Sequence, residues 1–243
     1  VINWFNQNPP LGGIGKIKLA EAYLEQGNTS EVKKLITEAW TTAEIDKNSL
    51  GYYRAKFKKF LTSDNHLKRA SYLAWERKYW DLKRMLKYLP TDERALYNAR
   101  QILMSNSYGV DNAISKVPEH LKNDPGLEFD RLRWRNRRGR LEGSLEILYK
   151  NSNKTERQMI RPDLWWEQRK SVARSLIYKK RYKTAYKISS EHSLSSGPEF
   201  AEAEWLSGWI ALSFLSSPEY AINHFENFYN NVGYPISLAR GAF

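Results

Sequence analysis

Glu199-Phe200-Ala201-Glu202-Ala203-Glu204-Trp205-Leu206-Ser207-Gly208-Trp209-Ile210-Ala211-Leu212-Ser213-Phe214 runs into Ser216-Ser217-Pro218 and resumes as Glu219-Tyr220-Ala221-Ile222-Asn223-His224-Phe225-Glu226-Asn227-Phe228-Tyr229. Phe200, Leu206, Trp209, Ile210 and Phe214, together with Trp205, recur with a helical period and cover more than one side, which suits a helix touched on two faces. The Ser-Ser-Pro cluster is a breaker and cap. Beyond it, Ala221, Phe225 and Phe228 mark the inner side of a second helix. Gly208 offers a place where the two helices can approach closely. One such hairpin cannot bury its own apolar surface, but neighbours set about 8–10 Å apart make a continuous core.

The same unit recurs upstream. Asp64 to Tyr79 then Trp80 to Tyr88, Leu127 to Asn136 then Leu141 to Tyr149, and Asp163 to Tyr178 then Arg181 to Ser190 each read as helix, turn, helix. Breaks are expected at Gly27-Asn28, Ser63-Asp64-Asn65, Pro90-Thr91-Asp92, Asp124-Pro125-Gly126, Asn151-Ser152-Asn153 and Ser195-Ser196-Gly197-Pro198. No two-residue alternation bounded by turns competes with this pattern. The expected fold is all-α: a right-handed superhelix of stacked hairpins, a degenerate tetratricopeptide-like solenoid without a strict repeat length. No linker rich in Pro, Gly or Ser divides it, so residues 1–243 are expected to form a single domain.

Composition closes off other classes. Over 243 residues, 41% hydrophobic and 14% aromatic content, with 9 Trp and 15 Tyr, is too much burial-seeking surface for a disordered chain. The most apolar stretch, Trp205 to Leu215, is interrupted by Ser207, Gly208 and Ser213, so no membrane span is expected. Zero cysteines exclude a disulfide scaffold, a thiolate zinc site and a Cys nucleophile. The opening Val1-Ile2-Asn3-Trp4 has neither Met nor a basic-then-apolar leader and reads as a trimmed product.

Charge is unevenly spread. Of 39 Lys+Arg and 27 Asp+Glu, the last 53 residues hold six Glu and only Arg240, leaving residues 1–190 with a net +17. Such a front section attracts polyanions. The bases concentrate in two clusters: Arg131, Arg133, Arg135, Arg137, Arg138 and Arg140, then Arg169 to Lys187, where eight bases meet no acid. Tyr178, Tyr182 and Tyr186 recur every four residues and would form one stripe if the turn near Lys180 were gentle. Basic and aromatic surface can pair with carboxylates or phosphates and stack on sugars or bases. The candidate binding residues are Arg131, Arg135, Arg138, Tyr178, Lys179, Lys180, Arg181 and Tyr182. The plainer alternative buries the tyrosines in the solenoid and leaves the bases as a solvated face.

Catalytic signals are absent. His66, His120, His192 and His224 show no paired metal-ligand spacing, so neither a metal nor a cofactor is expected, and no strand-turn-helix presents a nucleophilic Ser. Leu11-Gly12-Gly13-Ile14-Gly15-Lys16 follows Pro9-Pro10 rather than a strand and reads as a flexible lead-in to the first helix. Asn28-Thr29-Ser30 and Asn153-Lys154-Thr155 read as helix-start and loop chemistry. Trp75, Trp80, Trp134, Trp165, Trp166, Trp205 and Trp209 are mostly expected in the core, their indole N–H groups reaching backbone carbonyls.

Ala203 to Leu212, the Pro218-led helix ending in His224-Phe225, and Tyr234-Pro235-Ile236-Ser237-Leu238-Ala239-Arg240-Gly241-Ala242 resemble the superhelical region of soluble lytic murein transglycosylases. Trp4-Phe5 with Pro9-Pro10, Leu19-Ala20-Glu21-Ala22, Ala39-Trp40, and Asp64 to Arg69 leading to Trp75-Glu76-Arg77 look like the family's α-proteobacterial branch. The resemblance implies a periplasmic superhelix that supports a following lysozyme-like domain, which cleaves the MurNAc–GlcNAc bond and leaves a 1,6-anhydro end. That domain carries a Glu-Ser pair and a Gly-Leu-Met-Gln segment; neither occurs here, and the chain stops at Phe243 in what resembles the lead toward the catalytic part. The expectation is a module inactive alone, with peptidoglycan strands and a C-terminal catalytic domain of the parent protein as partners.

Two other classes stand behind this one. A tetratricopeptide-type scaffold would bind a peptide tail, with Glu199, Glu202 and Glu204 as its rim. A helical-repeat nucleic-acid binder would use the basic front section, but no base-reading pair recurs at a fixed position.

Overall fold

The computed structural model describes residues 1–105 and 108–242. Among them are sixteen α-helices and no strand, so the chain is all-α. It falls into two compact units, Val1–Leu127 and Glu128–Phe243. The first holds α1 (Ile2–Gln7), α2 (Gly13–Glu25), α3 (Thr29–Thr42), α4 (Ser49–Lys56), α5 (Ser63–Trp75), α6 (Tyr79–Met85), α7 (Thr91–Leu103) and α8 (Val110–Ser115), and α9 (Pro125–Arg137) begins in it. The second adds α10 (Leu141–Lys150), α11 (Glu156–Met159), α12 (Pro162–Tyr178), α13 (Tyr182–Ser190), α14 (Gly197–Leu215), α15 (Pro218–Asn230) and α16 (Pro235–Ala242). Helices pack on their sequence neighbours: α2 on α3 and α3 on α5 in the first unit, α12 on α13, α13 on α14 and α14 on α15 in the second.

One turn closes four of these hairpins. Gly27, Arg77, Gly139 and Lys180 all have positive φ, between 56° and 74°. The N–H of the next residue then bonds back five positions: Asn28 to Tyr23, Lys78 to Leu73, Arg140 to Arg135 and Arg181 to Leu176, at 2.8–3.0 Å. This is the Schellman closure, which satisfies a carbonyl the helix end leaves open. Asn28, Lys78 and Arg140 follow with φ near −80° and ψ of 71° to 78°, an inverse γ-turn, and the second helix begins. At Ser216 the same reversal reaches one residue further, Ser217 N–H bonding the Ala211 carbonyl at 3.0 Å. Because Lys180 reverses the chain, Tyr178 ends one helix while Tyr182 and Tyr186 lie on the next, and the expected tyrosine stripe does not form.

Each unit has its own core. In the first, Ile17, Val32, Ile36, Trp40, Phe57, Leu82 and Met85 are fully buried. In the second, Leu132, Leu148, Trp165, Trp166, Val172, Leu176, Ile188 and Ile210 are, with Phe129 edge-on to Trp165 at 5.6 Å. Gly208 makes the expected close approach: a Cβ there would lie 2.9 Å from the Phe225 ring. Gly13, however, is no flexible lead-in. It starts α2, and a Cβ there would lie 2.6 Å from the Ala43 Cα.

Three arginines close helix ends from outside. Buried Arg69 on α5 donates through Nη1 to the Trp40 and Ala43 carbonyls at 2.6 and 2.9 Å, at the end of α3. Buried Arg169 on α12 donates to the Ile188 carbonyl of α13 at 3.1 Å. Arg77 donates to the Met104 carbonyl, just past α7, at 3.1 Å. A cation there satisfies orphan carbonyls and complements the negative end of the helix dipole. Burial pulls the Arg69 and Arg169 guanidinium groups down to about 10.

The tryptophans divide. Trp40, Trp165 and Trp166 are fully buried, Trp75 and Trp134 nearly so, Trp205 and Trp209 half-buried, and Trp80 exposed. Two of the indole N–H groups reach side chains rather than the expected carbonyls: Trp40 Nε1 donates to His66 Nδ1 at 3.2 Å and Trp166 Nε1 to Glu202 at 2.9 Å.

The turn can be tested by substitution. A Cβ on Gly139 would meet no atom within 4 Å, so only backbone conformation is at stake there. Gly139→Ala should lower stability by about 1 kcal/mol, whereas Lys180→Gly should raise it by about 0.5–1 kcal/mol, both read from urea midpoints. Equal, same-sign shifts would refute a shared left-handed turn. Gly13→Ala should cost about 1–3 kcal/mol through the clash with Ala43, despite alanine's better helix propensity.

Candidate functional site

Two of the turns in the second unit carry the basic clusters. Around Gly139 stand Arg137, Arg138 and Arg140, all exposed; around the Lys180 turn stand Lys179, Lys180 and Lys183, also exposed, with Arg181 among them partly covered. Arg181 Nη1 hydrogen-bonds the Glu142 carboxylate at the start of α10, tying one turn to the other. Tyr182 stacks on Phe214 at the end of α14, centroids 4.7 Å apart and planes 16° apart, which brings up the Ser216 turn as well. The hairpin turns of this unit thus share an edge. Next to the Lys180 turn opens a cleft of about 470 Å³ lined by Lys180, Arg181, Tyr182, Lys183, Phe214 and Leu215.

Aromatic rings underlie the cations. The guanidinium groups of Arg138 and Arg140 lie 4.6 and 4.8 Å from the Trp134 ring, and Lys187 Nζ lies 5.0 Å from the Tyr149 ring. Such contacts hold long side chains in place while their charge stays in water. The first turn of α13 contains no acidic residue and no side-chain cap, so its positive dipole end adds to the field of Lys180, Arg181 and Lys183.

Of the candidates from sequence, Arg138, Lys179, Lys180, Arg181 and Tyr182 meet on this edge. Tyr178, at the end of α12, is almost fully exposed. Arg135 is turned to local work, donating to the Gly143 carbonyl at 2.6 Å and to Glu146 at 2.9 Å. Arg131 sits earlier in α9, half-buried. Sequence reading passed over Lys183 and Phe214; Lys183 was visible in the basic run, but Phe214 joins only because α13 packs on α14.

A second constellation lies inside the same unit. Glu204 is buried and receives His192 Nε2 at 2.9 Å, His224 Nδ1 at 2.8 Å and Asn227 Nδ2 at 3.0 Å. His192 Nδ1 accepts the Leu194 N–H at 3.0 Å, so its neutral ring carries the proton on Nε2 and donates it to Glu204. His224 Nε2 lies 3.0 Å from the Tyr186 hydroxyl. Glu204 is therefore no acidic rim. Glu202 is likewise engaged, by Lys170 at 2.8 Å and by Trp166. Burial pushes the Glu204 carboxyl up, but hydrogen bonds from His192, His224 and Asn227 outweigh it and hold the group at about 2. Among the described residues no group of three His, Cys, Asp or Glu side chains could hold a metal ion.

No protein-family model, curated protein or solved structure matches the chain. Among the described residues no helix is long and apolar enough to cross a membrane.

The Glu204 cluster predicts a pH dependence. A carboxyl at about 2 in the folded state and at its ordinary 4.5 when unfolded contributes fully above pH 4.5 and loses its contribution as pH falls toward 2. The amount is about 3 kcal/mol. Glu204→Gln should be less stable than the parent at pH 7, with a flatter loss between pH 4.5 and pH 2, followed by urea unfolding. A parent-like slope in the variant would show that this carboxyl does not set the acid limb.

Proposed function

We propose that this chain is a non-catalytic binding module that holds peptidoglycan strands along the basic turn edge of its second unit. It would serve as the superhelical region of a lytic murein transglycosylase, working in the periplasm for a catalytic domain that cleaves the MurNAc–GlcNAc bond. The finer architecture in this reading is a right-handed superhelix of stacked hairpins. The observation that carries it is the meeting of two basic clusters, far apart in sequence, on one edge tied by Arg181 and Glu142. Stem peptides bear carboxylates, and the edge offers exposed cations held over aromatic rings. Each exposed pair is worth only about 0–1 kcal/mol, so retention would come from many contacts and fade as salt shortens the screening length.

Co-sedimentation with purified sacculi tests this. The chain should pellet at low salt, be released at high salt and resist displacement by RNA. Lys179→Glu, Lys180→Glu and Lys183→Glu together should weaken retention strongly, while the same charge change at exposed Lys47, Lys58 and Lys59 of the first unit should leave most of it. Displacement by RNA would favour a nucleic-acid binder, and absence of retention a protein-interaction scaffold.

A further inference from the structure

α15 is apolar on two sides, and only one of them is covered. Ala221 and Phe228 are buried against α14, and His224 reaches Glu204 there. Pro218, Ile222, Phe225 and Tyr229 follow at i, i+4, i+7 and i+11, which puts them within about 60° of one line along the helix. That line is turned about a quarter-circle from the buried side. Ile222 is 55% and Tyr229 46% exposed, while Phe225 is half-buried with its ring against Gly208. With Leu212 of α14 and Gly241 of α16 they line an open groove of about 480 Å³. Glu219 and Glu226, both exposed and two turns apart, form a rim along one side of the stripe. No Lys or Arg occurs between Lys187 and Arg240, and Glu202 and Glu204 are engaged elsewhere, so among the described side chains these two acids set the charge of the face.

We propose that this groove receives an amphipathic helix of another protein, apolar along one side and flanked there by Lys or Arg. The stripe runs along α15 rather than along the basic turn edge, and its occupant does not depend on what that edge holds. Four anchors over three turns, about 17 Å long, offer what a helix laid into a groove needs: a straight apolar seam bordered by neighbouring helices. The charge of the partner follows from the rim. Lysine or arginine beside the partner's seam meets Glu219 and Glu226, whereas an acidic helix is repelled. The same rim disfavours two other occupants. An anionic bilayer is repelled by it, and two copies of the chain pressed together antiparallel through α15 would set their glutamates side by side.

Fluorescence anisotropy with the full chain and two labelled peptides of about 14 residues tests this; both carry leucine at helical spacing along one side, and the remaining positions are lysine in one and glutamate in the other. The leucine–lysine peptide should bind at least about tenfold more tightly than the leucine–glutamate peptide, and added salt should narrow the gap. Ile222→Ser with Tyr229→Ser should weaken its binding about tenfold, while circular dichroism and the urea midpoint stay close to those of the parent because both positions are exposed. Glu219→Lys with Glu226→Lys should reverse the preference between the peptides. No binding of either peptide, equal binding of both, or leucine–lysine binding that the serine variant leaves unchanged would overturn the proposal. So would sedimentation of the parent as a dimer that the serine variant splits, which would assign the groove to a second copy. Binding to phosphatidylcholine–phosphatidylglycerol vesicles that the serine variant loses would overturn it in favour of a lipid surface.

Discussion

Every hairpin whose geometry matters here turns on one residue forced into a left-handed backbone. The positive φ at Gly27, Arg77, Gly139 and Lys180 lets the following N–H reach the carbonyl five residues back. That closure stops one helix and starts the next in a fixed direction. Side chains on either side of each turn are consequently delivered to the same edge of the hairpin, and packing of neighbouring hairpins lines the edges up. The cations around Gly139 and Lys180 meet for this reason, although residues 141 to 178 separate them in sequence.

The charge of the chain has two populations. Arg69 and Arg169 are buried, and both work on the carbonyls of helix ends. Arg135 spends its donors on Gly143 and Glu146 within its own hairpin. What remains for a partner is the subset at the turns. In the acidic last part, too, Glu204 is spent inside, where two imidazoles and an amide outweigh the cost of burying a carboxylate. Net charge by segment therefore overstates both the basic front and the acidic tail as surfaces.

The hairpins of the second unit were legible because their boundaries carry chemistry a sequence displays: Asp124-Pro125-Gly126, Asn151 to Asn153, Ser195 to Pro198 and Ser216 to Pro218 all fall at or beside helix ends. The tyrosine stripe misled because Lys180 gives no sign that it will adopt a left-handed conformation, whereas Gly27 and Gly139 do. Gly13 misled in the opposite sense: a glycine required by contact with Ala43 looks the same in sequence as one required by flexibility. For the site, membership of the basic clusters was readable, but their meeting depends on the Arg181–Glu142 tie and the Tyr182–Phe214 stack, which are tertiary. The Glu204 cluster was hidden because a buried carboxylate within a run of glutamates resembles an exposed one until His192 and His224 are seen to converge on it.

The left-handed position also has a meaning for how such a protein can change. It demands a backbone conformation and leaves its side chain to the surface: Gly27 and Gly139 fill it with nothing, Arg77 uses it to close a neighbouring helix, and Lys180 places a cation there. The strain of a non-glycine residue at this point is small and local. New surface chemistry can therefore be written into the turns one residue at a time while the buried side chains stay as they are, so that recognition and folding can vary almost independently.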